Sequence, residues 1–138
     1  MIEFAVVLPV FVFLLIGVIE FGRYTYFAIL ASHAARAGVQ YAAQNLETAA
    51  DANANGPGTA SAAKADAQSL SGWKVTSAVV CTVNSQPSPC PASNAIVSNV
   101  VYYVQVQVSA TFNSLMKYPG IPQQLPVSAT AMMRVANQ

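Results

Sequence analysis

The sequence predicts an α+β fold: a long N-terminal hydrophobic α-helix packed on a small antiparallel β-sheet of three or four strands. Three observations predict it. The stretch from Phe4 to Ile19 carries no charge, is mostly Val, Leu, Ile and Phe, and leaves no polar stripe at any helical spacing. A helix that is apolar on every side must lie in lipid or in other protein. Clean alternation of apolar and polar residues runs from Tyr103 to Phe112, and Val127 to Val135 alternates again, the period of half-buried strands. Finally, 138 residues with such a helix at one end leave room for one small globular domain. The expected division is a helix over residues 1–47 and a globular domain over 48–138.

The helical pattern continues from Met1 to Leu46, a rod on the order of 70 Å at roughly 1.5 Å per residue. The uncharged run is short for a membrane span. It lengthens through Tyr24–Leu30 if Glu20 and Arg23 find partners. Pro9 lacks the N–H that the Ala5 carbonyl would receive, and Gly17 and Gly22 are weak helix formers, so a bend is expected at these three positions. Past Arg23, Ala28, Ala31, Ala35, Gly38 and Ala42 recur every three or four positions. Small residues on one face let another backbone approach closely. The expectation is packing on the chain's own sheet for the C-terminal half of the helix, and packing between subunits for the N-terminal half.

Thr48 to Gly72 is rich in Ala, Asn, Gly and Ser. Asn55-Gly-Pro-Gly58 stops one helix. Ala60 to Leu70 then has good helix formers, with Lys64 and Asp66 outward, Leu70 inward and Ser71-Gly72 as its end. Trp73 opens the β part. Val75, Val79, Cys81 and Val83 alternate imperfectly with Thr76 and Thr82, and a loop through Pro87, Pro89 and Pro91 follows. In the next strand Val104, Val106, Val108, Ala110 and Phe112 share one face, opposite Gln105, Gln107, Ser109 and Thr111. Tyr118-Pro-Gly-Ile-Pro122 is a turn. The last strand places Val127, Ala129, Ala131, Met133 and Val135 inward.

Cys81 and Cys90 are the only cysteines and bracket a short loop. In a chain that leaves the cytoplasm, such a pair reads as a disulfide, worth roughly 2–3 kcal/mol of loop-closure entropy. Metal binding would need more ligands nearby, and the sequence supplies none.

Charged residues make up 8% of the chain, against roughly a quarter of an average soluble domain. That fits a surface covered by copies of itself, or a sparsely charged extracellular domain. The net charge of +1 has no clustered basic patch, so no nucleic-acid partner is expected. Catalysis finds no machinery either. His33 is the single histidine and sits in the helix, where a structural role is the ordinary one. Glu3 and Glu20 would be about 25 Å apart on a helix, too far to act as an acid/base pair. Gly56-Pro-Gly58 lacks the preceding strand and following lysine of a phosphate loop. No cofactor or metal site is expected, and the chain does not read as an enzyme.

The run Ile2-Glu3-Phe4-Ala5-Val6-Val7-Leu8-Pro9, the segment Gly17-Val-Ile-Glu20-Phe21-Gly22-Arg23 and the block Ala34-Ala-Arg36-Ala-Gly38-Val-Gln40-Tyr41 resemble the TadE-like pilins and pseudopilins of tight-adherence (type IVc) pilus systems. Val127 to Val135 also resembles the closing strand of that family. The middle of the chain carries no matching motif. The first block is fairly specific, because a plain anchor needs hydrophobicity but no Glu-Phe or Glu-Phe-Gly-Arg at fixed places. The resemblance implies a type IV pilin-like fold and a leader cut by a prepilin peptidase. It further implies an inner-membrane stage before assembly, and extraction by a pilus motor into an extracellular filament. In the family's prepilins the glutamate is left fifth after cleavage. Here Glu3 stands third with no leader before it, so the expected mature start differs from the family's pattern.

Glu3, Glu20 and Arg23 are the candidates for assembly and register. An unpaired carboxylate in apolar surroundings is costly, while one paired with the N-terminal ammonium of an adjacent copy is stabilised. The alternative is Glu3 resting among lipid headgroups. Glu20 and Arg23, three apart, can pair within one helix or between copies, and the spacing does not choose. The leading reading is a filament subunit, its partners copies of itself. The alternatives are a minor priming or tip pseudopilin, and a membrane-tethered binding domain for which Glu3 would be dispensable.

Overall fold

The structure, a computed structural model, describes residues 2–53, 57–67, 72–83, 86–88, 90, 100–115 and 122–136. Three helices precede four strands: α1 (Ile2–Ala42), α2 (Leu46–Asn53), α3 (Pro57–Asp66), β1 (Lys74–Val83), β2 (Gln86–Ser88), β3 (Val100–Asn113) and β4 (Gln124–Arg134). The strands form one antiparallel sheet in the order β2-β1-β3-β4. The expected α+β class therefore holds, with a long apolar helix lying across a small sheet.

The core sits between the C-terminal half of α1 and the inward row of β3. Val104, Val106 and Val108 are fully buried, with Ala110 and Phe112 behind them. They meet Ala31, Ala34, Ala35 and Val39 of α1. Alanines suit that face because they hold the helix axis close to the sheet without spending side-chain entropy. Gly38 goes further. A Cβ built there would stand 3.1 Å from Val106 Cγ1 and 3.3 Å from Ala63 Cβ of α3, so sheet and second helix close on α1 at this residue.

Three helix boundaries differ from the sequence reading, one being the end of α3 at Asp66 instead of Leu70. α1 ends at Ala42, and Leu46 opens α2 instead of closing α1. The cause is a reciprocal cap: Asn45 Oδ1 accepts the Thr48 N–H at 2.8 Å, and Thr48 Oγ1 accepts the Asn45 N–H at 3.2 Å. Such a cap favours starting a new helix over continuing the old one. α3 begins at Pro57, three residues before the expected Ala60, because proline loses nothing at a first helical position. Lys64 and Asp66 point outward. Leu70, Ser71 and most of the Tyr118–Pro122 turn lie outside the described residues.

The loop read between Cys81 and Cys90 contains β2, which pairs Cys81 with Ser88 and Val83 with Gln86. Pro87 is tolerated there because β2 is an edge strand. On β1 the inward row also includes Ser77, buried and donating its hydroxyl to the Ala52 carbonyl of α2. On β4 the inward reading is corrected at Met133, which is 40% exposed. Val127 and Val135 on the same row are buried, but β4 is an edge strand of the sheet and, among the described residues, has no further strand beside Met133.

Candidate assembly surface

α1 is one helix with two environments. From Phe4 to Phe21 its large side chains are exposed; Phe4 is 81% accessible, Val18 and Phe21 69%. From Ala31 to Ala43 its inner face is buried. The span Val6–Ala42 is long and apolar enough to cross a membrane. Pro9 lies inside α1 without ending it, and Gly17 and Gly22 are also helical. Thr25 Oγ1 donates to the Gly22 carbonyl at 2.8 Å. Glu3 falls in the first turn of α1, and its side chain lies outside the described set.

Glu20 marks the change of environment. Its Oε2 receives Arg23 Nη1 at 3.2 Å, so the two residues pair within the helix. Its Oε1 accepts the backbone N–H of Leu115, 95 positions further along, at 2.8 Å. One carboxylate thus ties the stalk to the β3–β4 connection just where the helix leaves the sheet. Only 14% of the Glu20 side chain is accessible against 34% of Arg23, which makes the acid the more desolvated partner. Two donors on one carboxylate offset that cost, since charge-assisted bonds are stronger than neutral ones. Arg23 then lies over the Phe112 ring, 5.4 Å from its centroid. Tyr24 and Phe27 meet the same ring edge-on at 5.7 and 5.3 Å.

Below this junction a groove of about 490 Å³ runs between the exposed stalk and the base of the sheet. Phe13, Gly17 and Phe21 form one wall, Phe112 and Leu125 the other, with Glu20 at the lip. A Cβ at Gly17 or Gly22 would meet nothing within 4 Å, so both sites are open. Ala31, Ala35, Gly38 and Ala42 are buried within the chain, and Ala28 is partly buried.

The arrangement offers surface rather than chemistry. Among the described residues no three His, Cys, Asp or Glu side chains come together. His33 is exposed on α1, remote in sequence from the acids at positions 20 and 47. Cys81, buried on β1, is disulfide-bonded to exposed Cys90, which clamps β2 against the end of β1.

An apolar stalk with a carboxylate–arginine junction is the part that comparison with known proteins recognises. Residues 1–40 match the family of TadE-like proteins. The match covers the exposed stalk, the Glu20–Arg23 junction and most of the buried half of α1. The match is a likeness over residues 1–40 of the 138 and includes none of the sheet. Together with the apolar helix it supports anchoring in a membrane. No curated protein and no solved structure matches the chain.

Sequence reasoning singled out Glu20 and Arg23 but missed Leu115 and the role of Phe112 as their platform. A backbone N–H carries no residue signature, so nothing in the sequence marked Leu115. Phe112 was placed inward by its alternation, and that was the available signal.

Proposed function

We propose that this chain is a structural subunit that polymerises through α1 into an extracellular filament serving adhesion or surface contact. The carrying observation is the uncovered apolar length of the stalk, Phe4 to Phe21, on a chain whose globular half already has a closed core. In the membrane, lipid covers that surface; in a fibre, stalks of neighbouring copies cover it. Before assembly the subunit sits in the inner membrane, processed by a prepilin peptidase and then drawn out by a pilus motor. The Glu3 carboxylate pairs with the terminal ammonium of the next copy and fixes register. The TadE-like match supports this reading.

One observation favours a second reading. The globular part carries all four sheet strands, each beyond residue 73, around a buried core of its own. A minor priming or tip pseudopilin would use such a head. Electron microscopy of sheared fibres, with mass spectrometry of their components, separates the two. Dominance of this chain makes it the shaft subunit, and Glu3→Ala should then abolish fibres. Trace amounts beside another pilin make it the minor one. A chain that stays with the membrane and never enters a fibre overturns both.

A further inference from the structure

The two edges of the sheet are built differently. At one edge β2 is three residues long, contains Pro87 and is clamped by the Cys81–Cys90 disulfide. The rest of β1 beside it is tied to α2 through Ser77 and Ala52. At the other edge β4 runs eleven residues, from Gln124 to Arg134.

The ladder says which groups of β4 are free. Val135 donates to Tyr102 and Ser114 to Gln123, on the same register that pairs Tyr103 with Arg134. In an antiparallel pair the residues that bond across the ladder alternate with residues whose N–H and C=O point away. The odd residues of β4 therefore bond to β3. Gln124, Pro126, Ser128, Thr130, Met132 and Arg134 direct their backbone outward. All six are exposed. Pro126 lies on this row, where its missing N–H costs the ladder nothing. From Ser128 to Arg134 the edge has no proline, and its one charge is at the far end. Natural edges are usually blunted against pairing; here Pro126 blunts one end and the Ala136 N–H donates to the Ala43 carbonyl at the other, while among the described residues no strand pairs with Ser128–Arg134.

Beside it Ser32, Arg36 and Gln40 of α1 and Thr130 to Met133 of β4 line a depression of about 390 Å³. Arg36 has no ion-pair or hydrogen-bond partner among the described residues, and neither has Arg134. No carboxylate lines the depression.

We infer that the β4 edge is a docking site for an acidic extended segment of another protein, which adds to the sheet as a fifth strand. The backbone row Ser128–Arg134 supplies the hydrogen bonds. Arg36 on the helix side and Arg134 on the outer face supply the charge that selects the occupant. A second copy is a poor occupant. Antiparallel self-pairing of β4 puts a two-fold axis normal to the sheet and turns the second stalk end for end, so the two cannot enter one membrane side by side. This inference is independent of whether the chain forms a fibre.

The test uses the full chain in detergent micelles and two synthetic peptides, acetyl-TVETVETV-amide and its glutamine counterpart acetyl-TVQTVQTV-amide. The acidic peptide should slow amide hydrogen exchange at Ser128, Thr130 and Met132 by at least about tenfold at saturation, as a paired strand does. The glutamine peptide should bind up to roughly fivefold more weakly for each exposed ion pair lost; Arg36→Gln should reduce that difference, and Arg36→Gln combined with Arg134→Gln should remove it. Thr130→Pro should abolish binding while leaving thermal unfolding nearly unchanged, because position 130 shares the outward row with Pro126. The inference is overturned if the acidic peptide gives no protection at β4, or protects the stalk instead. Protection that grows with protein concentration in the absence of peptide also overturns it, in favour of a second copy.

Discussion

The two halves of α1 are the same helix under opposite rules. Ala31–Ala43 is small, buried and fitted against Val104, Val106 and Val108, while Phe4–Phe21 is large, apolar and uncovered. A hydrophobic side chain contributes about 25 cal/mol per Å² only once something else takes it out of water. The buried half has collected that contribution inside the chain. Under the proposed function, the exposed half holds it for lipid or for another subunit. Size follows the same division: bulky residues sit where no described part of the chain covers them, and alanines where the sheet is fixed at close range. Substitutions should therefore act on different observables in the two halves.

The largest contrast is between two phenylalanines. Phe112 is 2% exposed and holds Arg23, Tyr24 and Phe27; Phe112→Ala should destabilise the globular part by roughly 3–5 kcal/mol. Phe11, 58% exposed, should change its unfolding by less than about 0.5 kcal/mol on Phe11→Ala. Thermal unfolding of the full chain in micelles measures both. Equal effects would mean that the stalk is part of the head's core.

Next comes a charge placed in the uncovered half. Leu14 is 64% exposed, and Leu14→Lys should disfavour membrane residence by about 3–4 kcal/mol while leaving the head's melting temperature unchanged. Flotation with vesicles reads the first and near-ultraviolet circular dichroism the second. Loss of the head's signal would erase the division between the halves.

The same substitution at two glycines sharpens the comparison. Gly38→Ala must push aside Val106 and Ala63, at 3.1 and 3.3 Å, and should destabilise by about 1–3 kcal/mol. Gly17→Ala meets nothing within 4 Å and should gain up to about 1 kcal/mol of helix propensity. Gly38→Ala should lower the head's melting temperature, whereas Gly17→Ala should raise helix content and leave that temperature unchanged. A destabilising Gly17→Ala would show that the open groove at that residue is already filled in the monomer.

Periodicity carried much of this architecture in readable form. The uniform hydrophobicity of Phe4–Ile19 and the alternation of Val104–Phe112 each left one structural solution. What was illegible depended on contacts across the chain or on backbone atoms. The α1–α2 break rests on the Asn45–Thr48 cap, whose three-residue spacing was visible but competed with a continuing helical pattern. β2 hid behind its proline. Met133 looked inward because alternation reports which face a residue shares, and cannot report that its strand lies at an edge. Glu20 and Arg23 were recognisable as a pair, yet the backbone donor 95 positions away was not.

The smallest effect tests whether the buried half is as finished as its packing implies. Thr59 of α3 is fully buried, and its Oγ1 has no hydrogen-bond partner among the described residues. Its backbone N–H is held by Asp51 Oδ2 at 3.4 Å, so the main chain does not depend on the hydroxyl. A buried hydroxyl without a partner loses its bonds to water and gains nothing in return. Valine keeps the branched shape and replaces that oxygen with a methyl group. Thr59→Val should raise stability by up to about 1 kcal/mol, read as a small upward shift in melting temperature. A drop would mean that the hydroxyl is satisfied in solution, by a water or by a neighbouring subunit. The head would then be waiting for a partner at α3 as well, and the contrast between a closed half and an open half would have to be redrawn.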